Sequence, residues 1–169
     1  MIRRISSFVL ALAMLGGIGG CKRERTNSTA LVGKPFPSFR FPASGGADTV
    51  TLEQFKGRPS MVVFWATWCA PCREEVEQLR QVLSAYQGIG LRIVGLSIDE
   101  TATPVPLMVQ KLSIPYPVGT GAQPFFDSLG LEYIPQSFLL DSKGDVVDAF
   151  GFVTADQFKQ GIDKFLAKR

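Results

Sequence analysis

The chain has 169 residues, with 18 Lys and Arg against 15 Asp and Glu, and it contains three cysteines and no histidine. This small net positive charge, with no basic stripe, argues against nucleic acid as a partner. The absence of histidine excludes His-based general-base catalysis and argues against most zinc or copper enzyme sites. We therefore expect no metal or other cofactor, and chemistry that runs on sulfur.

The first residues have the pattern of a secretory signal peptide. Arg3 and Arg4 precede an apolar run that ends in small residues before Cys21. That run is short for a membrane-spanning helix, and its glycine-rich end favours cleavage. The segment Ile18-Gly19-Gly20-Cys21 also resembles a bacterial lipobox, in which the cysteine becomes a lipid-bearing first residue. A signal peptide with an incidental cysteine is the alternative.

These features divide the chain into three parts. We predict a signal peptide over residues 1–20, and over residues 21–30 a tether that is anchored by lipid on Cys21. Residues 31–169 are then a single domain, long enough to bury a hydrophobic core. Lipidation of Cys21 would leave one pair of cysteines for other chemistry.

The first half of the domain predicts a hairpin followed by a strand-helix-strand unit. A strand pair precedes a continuous apolar strand over Met61–Ala66, and an amphipathic helix follows the cysteines, with Gly88 as its stop. Leu91–Asp99 is the next strand. It is expected to run parallel to Met61–Ala66 because a crossover helix joins the two.

The second half of the domain predicts an insertion, a second hairpin and a last helix. Two short helices, about Val105–Leu112 and Pro124–Leu129, precede two strands around the turn Ser142-Lys143-Gly144. Thr154 and Gln157 form a capping-box start for the last helix. This order of elements predicts an α/β fold, with a mixed central sheet flanked by helices on both faces.

Cys69 and Cys72 form a single C-x-x-C pair between an apolar run and a charged run. One such pair supplies half of the four ligands of a structural zinc site, and no second pair or histidine completes the set. A purely structural disulfide more often links distant segments, because a small loop removes little entropy from the unfolded state. The pattern therefore favours a redox couple, with a metal site and a structural staple as the alternatives.

The predicted position of the pair supports redox chemistry. Cys69 lies where a strand passes into a helix, so unpaired N–H groups and the helix dipole can stabilise its thiolate and make it the attacking sulfur. Cys72 lies almost one turn further along, on the covered side, where it can resolve a mixed disulfide. Pro71 suits the first helical turn, which needs no N–H from it, and stiffens the loop between the sulfurs.

Three segments carry a resemblance to a known family: GKPFPSFRF, VVFWATWCAPCREE and YIPQSFLLDSKGDVV. They resemble the TlpA/ResA-type thiol-disulfide oxidoreductases, which are membrane-tethered extracytoplasmic proteins of the thioredoxin-like family. The similarity covers about residues 31–167. It implies a thioredoxin-like fold, here with an N-terminal hairpin extension and an insertion after the first strand-helix-strand unit.

The resemblance also implies roles for residues around the cysteines. It implies a cis peptide bond at Ile134-Pro135, with the proline facing the disulfide. Cytoplasmic thioredoxins carry a buried Asp where this chain has Val63, whereas the TlpA/ResA-like branch has a Glu at the place of Glu75. Glu75 has a simpler explanation, shared with Glu74, because acidic residues in a first helical turn interact favourably with the helix dipole.

We therefore predict two groups of site residues. The catalytic residues are Cys69, Cys72, Glu75 and Pro135. The residues predicted to contact a client protein are Trp68, Ala70, Pro71 and Ile134. Trp65, inside the apolar strand, is expected to pack in the core. A free backbone edge beside Cys69 could pair with an extended client strand.

The expected function is reduction of disulfides in client proteins outside the cytoplasm. Ala70 and Pro71 offer a thiolate neither positive charge nor a hydrogen-bonding side chain, so the reduced form is not strongly favoured and the dithiol should be a good electron donor. The resemblance implies clients with disulfides or C-x-x-C pairs, such as apocytochromes c. It also implies a membrane thiol-electron transporter as the source of electrons.

Three other functions stand as alternatives: a disulfide-donating oxidant, a peroxiredoxin-like thiol peroxidase and a thiol-based metal carrier. By resemblance, a peroxidatic cysteine needs Thr or Ser three residues before it and Pro seven residues before it. This chain has Ala66 and Val62 at those places. The missing histidine, and the absence of a Met cluster near the cysteines, argue against a metal carrier.

Overall fold

A computed structural model describes residues 27–168 of the chain. The predicted signal peptide, Cys21 and the first part of the predicted tether lie outside the described residues. A 3-10 helix over Asn27–Leu31 opens the described part. Ser28 is 4% exposed and Leu31 packs against the core, so the last residues of the predicted tether are folded against the domain. Across residues 27–168, no helix is long and apolar enough to span a membrane.

The predicted N-terminal hairpin is present. Strand β1 (Arg40–Pro42) pairs antiparallel with β2 (Thr49–Thr51), and Phe41 lies opposite Val50. Phe41 also stacks on Phe39, with ring centroids 5.9 Å apart. These apolar side chains give the hairpin a face that packs against the rest of the domain.

A five-stranded mixed sheet forms the centre of the domain, in the order β5-β4-β3-β6-β7. Strands β3, β4 and β5 are parallel, β6 runs antiparallel to β3, and β7 runs antiparallel to β6. The strands span Ser60–Trp65 (β3), Arg92–Ser97 (β4), Val118–Gly119 (β5), Gln136–Leu140 (β6) and Val146–Phe150 (β7). All six residues of β3 are buried, as its continuous apolar run predicts for a central strand.

Within residues 27–168, four α-helices accompany the sheet. They are α1 (Ala70–Ala85), α2 (Val105–Lys111), α3 (Gln123–Ser128) and α4 (Ala155–Leu166). Helix α4 begins with the predicted capping box: the Thr154 N–H donates to the Gln157 side-chain oxygen at 2.9 Å, and the Gln157 N–H donates to the Thr154 hydroxyl at 3.4 Å. The two short predicted helices of the insertion correspond to α2 and α3.

Helices cover both faces of the sheet, as predicted. On one face the ring of Phe64 in β3 lies 5.4 Å from that of Phe126 in α3. On the other face the ring of Phe150 in β7 lies 5.1 Å from that of Phe158 in α4. Helix α1 packs against α4 and so shares this second face.

Two local features differ from the sequence prediction. Helix α1 ends at Ala85 rather than at Gly88, and a 3-10 helix over Gln87–Ile89 follows it. The left-handed backbone turn falls on Gly90, at φ 70°, because a residue without Cβ adopts this conformation at little cost. Strand β5 was not predicted, since two residues flanked by proline and polar residues show no hydrophobic period.

The strand register places three chain segments at one edge of the sheet. Trp65, the last residue of β3, lies opposite Ser97, the last residue of β4. Phe64 lies opposite Gln136, the first residue of the antiparallel strand β6. The turn into α1, the end of β4 and the Ile134-Pro135 segment are therefore neighbours.

Replacing Gly161 in α4 tests how tightly this helix packs on the sheet. A Cβ at Gly161 would lie 2.6 Å from Cζ of Phe150, so the ring or the helix must shift. We expect Gly161→Ala to lower the free energy of unfolding by about 1–2 kcal/mol, although Ala is the better helix former. In the control Gly88→Ala, the added methyl meets nothing within 4 Å. Denaturant titration of both variants measures the effect, and a Gly161→Ala protein as stable as the control would contradict the packing.

Candidate active site

The two cysteines of the C-x-x-C pair form a disulfide at the start of α1. The bond joins Cys69 and Cys72 with an S–S distance of 2.04 Å and a Cα–Cα distance of 5.3 Å. Cys69 is 5% exposed and Cys72 is 2% exposed. The two residues between them, Ala70 and Pro71, are exposed in the first turn of α1. A partner protein would therefore approach the disulfide over this turn.

Cys69 is the N-cap of α1. Its backbone is extended, with φ −82° and ψ 106°, and its Sγ accepts a hydrogen bond from the Cys72 backbone N–H at 3.2 Å. Helix N-termini leave such N–H groups without a partner inside the helix, so a side-chain atom of the N-cap residue can accept from them. The helix positions a donor at the sulfur that is predicted to become a thiolate. Pro71 lies in the first turn of α1, where its lack of an N–H removes no hydrogen bond within the helix.

A backbone segment from the start of β6 approaches the disulfide. The Ile134 carbonyl oxygen lies 4.0 Å from Cys69 Sγ. The Ile134-Pro135 peptide bond is cis, as the resemblance implies. Pro135 is buried, whereas Ile134 is half-buried and lies beside the sulfur. On the other side of Cys69, Trp68 is 65% exposed, and Trp65 is buried in β3 as expected.

Glu75 is buried one turn beyond Cys72 on the same helix. It is 0% exposed, and neither of its carboxylate oxygens has a hydrogen-bond partner. Burial disfavours the charged form, and it raises the pKa of Glu75 from 4.5 to about 8. Burial also raises the pKa of Tyr116, and the nearby Glu75 carboxylate raises it further. Glu75 is thus mostly protonated at neutral pH in the disulfide form of the protein.

The helix-dipole explanation for Glu74 and Glu75 is wrong, because α1 begins at Ala70 and its first turn contains no acidic residue. Both glutamates lie in the second turn, where the interaction with the helix dipole has weakened. Glu74 is exposed and Glu75 is buried. The sequence allowed both explanations for Glu75, and its burial without a partner removes the simpler one.

Thr67 and Asp99 contribute a polar network that the sequence analysis missed. The Asp99 carboxylate, 4% exposed, accepts the Thr67 hydroxyl at 2.6 Å and the Thr67 backbone N–H at 3.0 Å. It also accepts the Ser97 hydroxyl at 2.7 Å. The sequence did contain a signal for this network. Parallel strands bring their carboxyl ends to one edge of a sheet, and Asp99 is the last residue of the strand that was predicted to run parallel to Met61–Ala66.

Comparisons with known proteins agree with this site. Residues 32–161 match the sequence model of the AhpC/TSA family. The chain is 30% identical over 138 residues to the thiol-disulfide oxidoreductase ResA of Bacillus thuringiensis (strain Al Hakam), covering 81% of this chain and 78% of ResA. It is also 30% identical over 122 residues to the thiol:disulfide interchange protein DsbE of Pseudomonas fluorescens biotype C, covering 71% of this chain and 66% of DsbE.

A solved structure supports the fold. A thiol:disulfide interchange protein of the thioredoxin family from Chlorobium tepidum TLS is 28% identical and has a TM-score of 0.67, covering 77% of this chain and 94% of that chain. The mixed sheet, the disulfide at the start of α1 and these similarities together define a thioredoxin-fold thiol-disulfide oxidoreductase. The chain belongs to the AhpC/TSA family, and it is similar to ResA and DsbE within the thioredoxin-like proteins.

Replacing Glu75 with Gln should make the stability of the oxidised protein less dependent on pH. The pKa of Glu75 is about 8 in the folded protein, against an ordinary value of 4.5. The folded state thus binds this proton more tightly than the unfolded chain, and its stability falls as the pH rises between those two values. Gln cannot ionise, so Glu75→Gln should lose most of this decline.

Urea titrations at about pH 5 and about pH 8.5 measure the difference. We expect the drop in unfolding free energy between these pH values to shrink by a few kcal/mol in Glu75→Gln. Glu74→Gln, at the exposed neighbouring position, is the control and should keep the drop of the wild-type protein. An equal drop in Glu75→Gln and Glu74→Gln would contradict the burial of an ionisable Glu75.

Proposed function

We propose that the protein reduces disulfides of client proteins outside the cytoplasm, with Cys69 as the nucleophile and Cys72 as the resolving thiol. The observation that carries this proposal is the buried Glu75 carboxyl group, without a partner, one turn beyond Cys72. A strong oxidant of this fold stabilises its thiolate heavily, which favours the reduced form. Here Glu75 offers the thiols no positive charge, and it repels a nearby thiolate whenever it is ionised, so the dithiol lacks the thiolate stabilisation of a strong oxidant.

The atoms of the catalytic cycle balance in two exchanges. The Cys69 thiolate attacks one sulfur of a client disulfide, forms a mixed disulfide and expels the other client sulfur as a thiolate. Cys72 then attacks Cys69 Sγ, closes the Cys69–Cys72 disulfide and releases the second client sulfur. The client gains two electrons, and its two sulfurs leave as thiolates that take protons from solvent. Cys69 has lost its proton before the attack, and Cys72 loses its proton to a base in the second exchange.

We propose Glu75 as the acceptor of the proton that Cys72 loses in the second exchange. Residues three apart on a helix lie on the same face, so the two side chains are neighbours. With a pKa of about 8 in the disulfide form, Glu75 carries a proton at neutral pH. A protonated Glu75 in the disulfide form is the expected product if its carboxylate takes the proton of Cys72 as the disulfide closes.

The surface around Cys69 suits an extended client segment. The Ile134 carbonyl oxygen, 4.0 Å from Cys69 Sγ, offers a backbone acceptor beside the sulfur. Main-chain pairing with such an edge tolerates different client side chains. Trp68, 65% exposed next to Cys69, adds apolar contact area. Ala70 and Pro71 complete the surface that a client would touch.

The clients and the source of electrons follow from the resemblance to TlpA/ResA-type proteins. The clients are proteins with disulfides or C-x-x-C pairs, with apocytochromes c as the leading class. A reductant in an oxidising compartment must itself be reduced again, so a membrane thiol-electron transporter is the proposed donor. The thiol peroxidase alternative lacks the Thr or Ser and the Pro that it requires, because Ala66 and Val62 stand at those positions.

Trapping experiments test the assigned roles of the two cysteines. In Cys72→Ala the second exchange cannot occur, so mixed disulfides through Cys69 should accumulate in cells and should dissociate on reduction. Cys69→Ala should trap little, since Cys72 is the proposed resolving thiol and is buried within the first turn of α1. Non-reducing electrophoresis and mass spectrometry of both variants give the result. Equal trapping by the two variants, or trapping by neither, would remove the mechanism.

The proposed location is the extracytoplasmic side of a membrane, through lipid on Cys21. A diacylglycerol group together with an amide-linked chain gives firm anchoring, whereas a single acyl chain binds reversibly. Cys21→Ser should therefore release the mature protein from the membrane fraction, while disulfide exchange by the purified domain stays unchanged. If the Cys21→Ser protein remains in the membrane fraction, the lipid anchor is wrong.

A further inference from the structure

The network around Thr67 occupies a position that the cysteine chemistry does not explain. Thr67 lies two residues before Cys69, in the turn between β3 and α1. Its hydroxyl and its N–H both donate to the Asp99 carboxylate, at 2.6 and 3.0 Å. Its carbonyl oxygen accepts the Arg73 guanidinium at 3.0 Å. All three polar groups of Thr67 are thus engaged, by two different segments of the chain.

Both partners of Thr67 are themselves fixed. Asp99, two residues after the end of β4, accepts the Ser97 hydroxyl at 2.7 Å, and its own N–H donates back to that hydroxyl oxygen at 3.1 Å. Arg73 belongs to α1, and its backbone N–H donates to the Cys69 carbonyl at 3.2 Å. The end of β4 and the first turns of α1 therefore hold the residue before Trp68 from two sides. A backbone turn restrained in this way has little freedom to move.

The sulfur chemistry depends on the geometry of this turn. The Cys72 N–H reaches Cys69 Sγ at 3.2 Å, and hydrogen bonds weaken steeply when their length or angle departs from such values. If the turn at Thr67 shifts, Cys69 shifts with it, because only Trp68 separates the two residues.

We propose that Thr67 and Asp99 are positioning residues for the nucleophile: they hold the strand-to-helix turn so that the N-terminus of α1 stabilises the Cys69 thiolate. The side-chain hydrogen bonds of Thr67 and Asp99 described above reach the turn and Ser97, so these residues are proposed to act through the backbone of the turn. The inference rests on Cys69 as the nucleophile. It does not depend on which client is reduced or in which direction electrons flow.

Asp99 could affect the Cys69 thiolate in two ways, and the two effects have opposite directions. If Asp99 acted on Cys69 only through its negative charge, removing that charge would relieve repulsion and favour the thiolate. If Asp99 acts by holding Thr67, removing its charge weakens the hold and disfavours the thiolate. Thr67→Val removes only the hydroxyl bond and leaves the charge in place, so it isolates the positioning effect.

The experiment measures the rate at which iodoacetamide alkylates Cys69 in the reduced protein, as a function of pH, with the modified cysteine identified by mass spectrometry. We expect Thr67→Val and Asp99→Asn to raise the pKa of the Cys69 thiol by about half a unit, which slows alkylation at neutral pH about threefold. Thr67→Ser keeps the hydroxyl and should react at the wild-type rate.

Two control variants separate positioning from a loss of stability. The Thr120 hydroxyl and N–H both donate to the Pro42 carbonyl, at 3.3 and 2.9 Å, so Thr120→Val removes a similar buried hydroxyl bond two strands from β3. Asp141 accepts three backbone N–H groups in the turn between β6 and β7, so Asp141→Asn matches Asp99→Asn. Both controls are expected to leave the alkylation profile of Cys69 unchanged.

Each outcome decides the proposal. A Thr67→Val protein with the alkylation profile of Thr120→Val would overturn it, and so would faster alkylation in Asp99→Asn. If Thr67→Val does not fold, Ser97→Ala takes its place, because it loosens Asp99 from the β4 side without altering the turn. Slower alkylation in Ser97→Ala then supports the proposal, and an unchanged rate overturns it. Failure of the client-trapping experiment would leave these alkylation results intact.

Discussion

The hydrogen bond from the Cys72 N–H to Cys69 Sγ, 3.2 Å long, is the contact on which the site depends. It exists only because β3 ends a few residues before α1 begins, so that a side chain at the junction meets unpaired N–H groups. Neighbouring strands fix this junction in space. The parallel strand β4 supplies Asp99 to hold it, and the antiparallel strand β6 starts beside it with the Ile134 carbonyl.

Two electrostatic effects of opposite sign act on the cysteines. The start of α1 favours negative charge on Cys69, through its N–H groups and its dipole. The buried Glu75, when ionised, disfavours negative charge on the neighbouring Cys72. In the proposed mechanism these two effects separate the roles of the sulfurs: the N-terminus of α1 helps Cys69 to attack, and Cys72 keeps its proton until Glu75 takes it. The proposed consequence is a dithiol that donates electrons.

Much of the fold follows from the sequence pattern, and the exceptions have physical reasons. The apolar run at Met61–Ala66 and the capping box at Thr154 each predict their element, because hydrophobic burial and backbone hydrogen bonds are local signals. Strand β5 shows no such signal, since a two-residue edge strand forms only when its neighbour β4 is already in place. Helix α1 ends at Ala85, before Gly88, and the left-handed residue Gly90 ends the 3-10 helix that follows it.

The site residues were also only partly predictable from the sequence. The spacing of Cys69 and Cys72, and their place before a helix, identify the redox couple. The burial of Glu75 could not be read from the sequence, because it depends on which face of α1 turns toward the sheet and on side chains from distant segments. Asp99 was missed for a related reason: its bonds to Thr67 cross 32 residues of sequence.

The reduction potential of the Cys69–Cys72 couple tests the central claim most directly, because it fixes the direction in which electrons can flow. Equilibration of the purified domain with glutathione or dithiothreitol buffers, read by alkylation of free thiols, gives the value. The account predicts a potential of roughly −250 mV or lower, as for a reductant of this fold. A value near −120 mV, the range of strong disulfide donors, would contradict it.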